Sequence, residues 1–132
     1  MKWILAIAAI TVIVFLVARW YGNRHLTRYS VDQTQERVGA GEAVLLDVRT
    51  DGERAEKAIP GSLHIPLDEL PARIDELEKY RDREIISYCR SGNRSLAATE
   101  ILSSQGFRAA SMNGGIMSWQ EPEKRVPASR KQ

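Results

Sequence analysis

The residues that most often announce chemistry are scarce here: the 132-residue chain has one cysteine, Cys89, and two histidines, His25 and His64. A single thiol excludes an internal disulfide, and two histidines far apart in the chain give no Cys/His spacing for a zinc site. No metal or other cofactor is expected. Nine glycines and five prolines are too few for a collagen-like or low-complexity chain, while 43% hydrophobic and 27% charged residues match an ordinary globular protein. The length leaves room for one small domain, which excludes a two-domain enzyme.

Positive charge is also missing where a nucleic acid would need it. Residues 1–29 carry Lys2, Arg19, Arg24 and Arg28 with no acid, whereas residues 30–121 carry 11 basic and 16 acidic side chains, a net charge of −5. A net acidic body lacks the clustered positive face that binds phosphate backbones, so no nucleic-acid partner is expected. Residues 122–132, with four basic side chains and one acidic, read as a disordered, solvated basic tail.

What the chain does have is one long apolar run. Trp3 to Ala18 (WILAIAAITVIVFLVA) is uncharged, and as a helix it spans about 24 Å at roughly 1.5 Å per residue. Extending it to Tyr21, with Arg19 snorkelling and Trp20 and Tyr21 at headgroup level, gives about 28 Å, close to the hydrocarbon thickness. Residues 1–21 therefore read as a single transmembrane anchor, followed by a polar linker over residues 22–29. A cleaved signal peptide and export is the alternative, but Ala18-Arg19-Trp20 lacks the small-x-small pattern such a site needs. A run apolar on all sides is also unlike a core helix. Arg19, Arg24 and Arg28 outweigh Lys2, so the domain after the anchor is expected in the cytoplasm, where a lone thiol stays reduced. His25 belongs to this interfacial basic collar.

The remainder alternates between strand and helix signals. Ser30 with Gln33 three residues on is a capping-box signature for a short helix to about Val38, ended by Gly39 and Gly41. Ala43–Val48 (AVLLDV) and Glu84–Tyr88 (EIISY) are short apolar runs between turn residues, predicting buried parallel strands. Between them, Leu67, Leu70, Ile74 and Leu77 recur at spacings of three and four, predicting an amphipathic helix over Pro66–Lys79. A second helix runs from near Arg94 to Gly106, followed by a strand over Phe107–Met112 and a helical turn over Ile116–Gln120. The expected class is α/β: a parallel sheet with helices on both faces over residues 30–121, its functional site beyond the carboxyl ends of the strands.

Cys89 stands at that place, after one predicted strand and before the next helix. The loop Cys89-Arg90-Ser91-Gly92-Asn93-Arg94 is rich in residues that tolerate unusual backbone angles, so its N–H groups can converge on one atom. Those amides, the helix N-terminus and the charges of Arg90 and Arg94 all favour a thiolate over a thiol, and would hold a persulfide in the same way. A lone cysteine in an α/β domain is otherwise a small buried hydrophobe. The loop gives this one an electrostatic purpose.

Four separated blocks carry a family resemblance: Leu46-Asp47-Val48-Arg49 with Glu53; Ile59-Pro60-Gly61-Ser62-Leu63-His64-Ile65-Pro66; Tyr88 to Ser95 (YCRSGNRS); and Gly106-Phe107 with Gly114-Gly115 and Trp119. In that order they resemble the rhodanese family of sulfurtransferases over nearly all of residues 30–121. The resemblance implies that Cys89 is catalytic and takes a sulfane sulfur as a persulfide. It also implies that Arg90, Ser91, Gly92, Asn93 and Arg94 cradle the substrate, and that the partners are a small anionic sulfur donor and a thiol, cyanide or protein acceptor. A basic residue at Arg90 resembles members that use thiosulfate rather than mercaptopyruvate. Two departures alter the rim: Lys57-Ala58 stands where relatives read Gly-His, and Arg54 where an aromatic commonly follows the motif glutamate.

Phosphatases and arsenate reductases place a cysteine in a similar loop, but their loops follow Cys-x5-Arg. Cys89 and Arg94 are one residue closer, a ring better matched to a single sulfur than to a phosphoryl group. A non-catalytic binding module is the other rival, and an intact Cys89 argues against it. Asp47 and Arg49 are read as supports of the loop, or as an ion pair with residues such as Glu53. Ser91 and Ser95 are loop hydrogen-bond donors or helix caps. Phe107 and Trp119 are expected in the core, and His64 as a partly buried, satisfied histidine rather than a base.

Overall fold

Alternating apolar runs and capped helices produce an all-parallel sheet in the computed structural model, which describes residues 1–24 and 26–121. The strands are β1 (Arg28–Tyr29), β2 (Ala43–Asp47), β3 (Leu63–His64), β4 (Glu84–Tyr88) and β5 (Ala109–Met112), in the order β1-β5-β4-β2-β3. Strands β2 and β4, the two predicted from their apolar runs, lie at the centre, with Ala43 opposite Glu84 and Asp47 opposite Tyr88. Burial on both faces explains why they read as continuous apolar runs.

Each face of the sheet has its own core. One gathers Leu46, Val48, Ile85, Cys89 and Phe107 with residues from the helical segments that follow β3 and β4. The other gathers Leu45, Ile86, Tyr88, Met112 and Ile116, with Tyr29, Val31 and Trp119 packed against it. Successive side chains of a strand point to opposite faces, so Tyr88 and Cys89 part company at the end of β4.

Helix α1 (Lys2–Arg24) contains a 20-residue stretch, Lys2–Tyr21, of mean hydropathy 2.3 and with none of it buried. It is long and apolar enough to cross a membrane. Helix α2 (Val31–Gly39) opens with the expected capping box: Ser30 Oγ accepts from Gln33 N–H, and Gln33 returns the bond to Ser30 N–H. Helix α3 (Asp51–Glu56) has a second box, between Thr50 and Glu53. Helix α5 (Asn93–Ser104) follows the cysteine loop.

Several expectations need correction. The single helix over Pro66–Lys79 is instead a short α4 (Leu70–Arg73) running into a 3₁₀ segment, Ile74–Tyr80. The four-residue step from Leu70 to Ile74 leaves the α turn, and the three-residue step from Ile74 to Leu77 suits the 3₁₀ repeat, so Leu70 and Leu77 are still buried. The linker is shorter than residues 22–29, because α1 continues to Arg24 and Arg28–Tyr29 pair with Ser111–Met112 as an edge strand. The last helical turn is a 3₁₀ turn, Ile116–Ser118. The placement of His25 in a basic collar and the disordered basic tail of residues 122–132 lie outside the described residues.

Candidate active site

Strand β4 ends at Tyr88 and α5 starts at Asn93, so four residues, Cys89 to Gly92, make the whole connection. The turn closes because Gly92 takes φ 128°, a conformation that side chains resist. That aims its N–H back at the sulfur, and Gly92 N–H donates to Cys89 Sγ at 3.0 Å. Ser95, one turn into the helix, places Oγ 3.6 Å from Sγ. The same hydroxyl lies 2.9 Å from Gly92 O and 2.7 Å from Ser111 Oγ.

Cys89 is only 1% exposed and shares the cluster of Val48, Ile65, Leu70 and Ala98. Burial alone pushes its thiol up. The Ser95 hydroxyl and the amides of Ser95, Gly92 and Ser91 more than offset this, leaving the thiol below the ordinary cysteine range. Aliphatic on one side and ringed by donors on the other, the buried sulfur sits among groups that favour its charged form against the effect of burial.

The loop is braced from behind by the Gly114-Gly115 turn. Ile116 N–H donates to Cys89 O at 2.9 Å and Met117 N–H to Arg90 O at 3.4 Å. Gly115 sits at φ 58°, ψ −158°, and a Cβ there would collide with the carbonyls of Cys89 and Arg90. This contact gives the paired glycines of the fourth sequence block a physical reason.

The remaining predicted residues divide. Arg90, Ser91 and Asn93 are exposed around the loop, and no ion pair holds Arg90 among the described residues. Ser91 contributes its amide rather than a cap, since the capping position of α5 is Gly92. Arg94 is half-buried and makes two bonds to the Glu53 carboxylate, at 2.9 and 3.1 Å. These bonds hold Glu53 below the usual carboxylate range. Arg94 also borders a cleft of about 290 Å³ lined by Val48, Thr50, Pro66, Leu67 and Asp68.

Asp47 and Arg49 pair with each other rather than with the Glu53 side chain. Arg49 Nη2 lies 2.7 Å from Asp47 Oδ2 and Nε lies 2.9 Å from Oδ1. They sit on the Tyr88 face, where the Tyr88 hydroxyl donates to Asp47 Oδ2 at 3.1 Å. Arg49 reaches on to the carbonyls of Glu53, within α3, and Lys57, just past its end. The pair therefore fixes the helix that presents Glu53 to Arg94 without approaching the sulfur. Arg54, the departure from the family pattern, joins this network through Ser62 and Asp47. His64 is half-buried with Nε2 2.9 Å from Arg49 O, as expected of a satisfied histidine. Phe107 is buried, and Trp119 packs against the second core.

Sequence reasoning missed Ser111 and the partnership of Glu53 with Arg94. Only the register of β4 with β5 brings Ser111 near the loop, and 41 residues separate Glu53 from Arg94.

Comparisons with known proteins agree with this geometry. A family profile described as the rhodanese-like domain matches residues 30–122. A sulfurtransferase from Allochromatium vinosum is 38% identical over 87 residues, covering 65% of this chain and 79% of that protein. The human thiosulfate:glutathione sulfurtransferase is 31% identical, with 71% and 93% of the two chains covered. The crystal structure of a rhodanese-related protein from Thermoplasma volcanium superimposes with a TM-score of 0.65 at 34% identity, covering 76% of this chain and 95% of that one. With the profile spanning four of the five strands, β2 to β5, and the cysteine loop that follows β4, the chain belongs to the rhodanese-like domain family.

Proposed function

We propose that the chain is a sulfurtransferase that carries a sulfane sulfur on Cys89, from thiosulfate or a persulfide donor to a thiol, cyanide or protein acceptor. The observation that carries this reading is a buried sulfur facing the Gly92 amide at 3.0 Å, with the Ser95 hydroxyl beside it and its thiol depressed in spite of burial.

The chemistry divides into two displacements. The Cys89 thiolate attacks the outer sulfur of thiosulfate; a bond from Sγ to that sulfur forms, the donor S–S bond breaks, and sulfite departs with the electron pair. The persulfide anion is then held by the loop amides, with Arg90 exposed at the rim to attract an anionic donor and Arg94 adding positive charge nearby. An acceptor thiolate or cyanide attacks the terminal sulfur, and the Cys89 thiolate leaves. Ser91, Gly92 and Asn93 complete the cradle. Asp47 and Arg49 support it indirectly, through α3 and the Glu53–Arg94 pair. A ring of this size fits one guest sulfur better than a phosphoryl group, which disfavours a phosphatase.

Helix α1 is read as a membrane anchor, with the domain on the cytoplasmic side of its Arg-rich end. A carboxyl-terminal reporter fusion tests that side. The function is tested by intact-mass analysis of the full chain in detergent after treatment with thiosulfate. A gain of one sulfur atom, removed by cyanide and located on Cys89, is expected. No gain, or hydrolysis of an aryl phosphate instead, refutes the reading.

A further inference from the structure

The Ser95 hydroxyl has one proton and three neighbours that want it. Gly92 O lies at 2.9 Å, Ser111 Oγ at 2.7 Å and Cys89 Sγ at 3.6 Å. Both serines are buried, Ser95 at 0% and Ser111 at 1% exposure, so no solvent supplies a missing bond.

We propose that Ser111 is a positioning residue for the sulfur-transfer reaction: by donating to Ser95 Oγ, it turns the Ser95 proton toward Cys89 whenever the sulfur is negatively charged. With Cys89 as a thiol, Ser95 donates to Gly92 O. When Cys89 becomes a thiolate, the Ser95 O–H swings to Sγ, and the Ser95 oxygen accepts the Ser111 proton. Gly92 O is not orphaned by this, because Leu96 N–H already donates to it at 3.3 Å. Every buried group keeps a partner in both arrangements, the condition for a polar network in a low-dielectric interior. The proposal deepens the sulfurtransferase reading and rests on it for its catalytic consequence, although the hydrogen-bond switch itself belongs to the thiolate alone.

The register of the sheet supplies an internal control. Ser87 on β4 stands beside Ser111 on β5 and is equally buried, but its hydroxyl has no partner among the described residues. The charged groups near Cys89 are Arg94, tied to Glu53, and Arg90 on the loop; β2 turns Val48 to this face, and β5 contributes Ser111. None of these charges is altered by substituting a serine.

The test is the pH profile of Cys89 alkylation by iodoacetamide, read on the full chain, in which Cys89 is the only cysteine. Ser111→Ala should move the profile to higher pH and slow alkylation at neutral pH by about fivefold, the effect of losing roughly one hydrogen bond. The two proteins should converge in alkaline solution. Ser111→Thr, which keeps a hydroxyl, should restore the profile, and Ser87→Ala should leave it in place. Because Ser111 acts through Ser95, the double variant Ser95→Ala/Ser111→Ala should match Ser95→Ala alone. A Ser111→Ala profile that overlays the parent, additive effects in the double variant, or an equal shift from Ser87→Ala would each overturn the proposal. Alkylation needs no sulfur transfer, so loss of the sulfurtransferase reading would show separately, as no sulfur gain from thiosulfate in a protein with the expected profile. If both hold, turnover with thiosulfate falls in parallel with alkylation across the series.

Discussion

Tyr88 and Cys89 are adjacent in the chain and face opposite sides of one sheet, and the two regions they anchor handle buried charge in opposite ways. On the Tyr88 side, Asp47 is met by Arg49, Arg54 and the Tyr88 hydroxyl, and Arg49 has the carbonyls of Glu53 and Lys57 besides. These bonds all run to other groups of the protein. On the Cys89 side, the donors around Sγ are backbone amides and one hydroxyl, while Arg90 at the rim has no ion pair among the described residues. Donors that stabilise a negative sulfur without neutralising it suit the proposed persulfide. One region holds the fold, and its neighbour is where the proposed reaction would run.

The contrast breaks most completely at the sulfur. Cys89→Ser removes the nucleophile but keeps a small polar atom facing Gly92 N–H, so sulfur gain from thiosulfate should vanish while thermal unfolding changes little. Intact mass and calorimetry on the same sample read both. Retained sulfur loading would mean that the transferring group lies elsewhere.

Asp47→Asn should reverse the pattern, costing stability by about 3–5 kcal/mol because the Arg49 charge is left buried without its partner. The cost should depend on pH. Burial pushes the Asp47 carboxyl up, but the bonds from Arg49 and Tyr88 outweigh it and hold the group below the ordinary range. A depressed carboxyl stabilises the fold above its unfolded pKa, about 3.9, and this contribution fades as pH falls through the folded value. The difference in denaturant midpoint between parent and Asp47→Asn should therefore be full near neutrality and shrink below about pH 4. A difference independent of pH would show that Asp47 matters only through packing.

How much of this was legible beforehand follows the same division. The cysteine loop is local: strand, Cys-x4-Arg and helix follow one another between Glu84 and Ser104, and the chemistry of that string is readable in order. The opposite network is not, because it depends on partners such as Tyr88 and Asp47, 41 residues apart and joined only by strand register. Helix α3 was missed for a related reason. Its six residues, DGERAE, bury nothing and carry no apolar period, and the Thr50–Glu53 capping box was the available signal. Strands β1 and β3 have two residues each, too few for any periodicity to register. The 3₁₀ geometry of Ile74–Tyr80 escaped notice because its apolar spacing suits an α-helix equally well.

The brace behind the loop links the two regions, since Ile116 belongs to the Tyr88-side core and donates to Cys89 O. Gly115→Ala forces a Cβ against the Cys89 and Arg90 carbonyls from a backbone conformation essentially confined to glycine. A loss of about 1–3 kcal/mol in stability is expected. Turnover should fall by about a hundredfold, because a small displacement of the reacting atom is enough to cost that much. Measuring turnover at a temperature where the variant is fully folded separates the two effects. Unchanged turnover would place the brace outside the reaction.

The smallest effect should come from the ion pair of Arg94 with Glu53 beside the cysteine loop. Glu53→Gln removes the carboxylate beside Arg94 but keeps a side chain that can still close the capping box with Thr50. The pair is about one-third exposed on each side, so its loss should change stability by less than about 1 kcal/mol. Arg94 would no longer share its charge with a fixed anion, and more of it would act on an anionic donor. The KM for thiosulfate should therefore fall by about two- to fivefold, a gain within 1 kcal/mol, with the maximal rate nearly unchanged. Initial rates over a range of thiosulfate concentrations decide the sign. A rise in KM would mean that Glu53 serves chiefly to aim Arg94 at the donor, extending the closed network of the Tyr88 side through α3 to the rim of the loop.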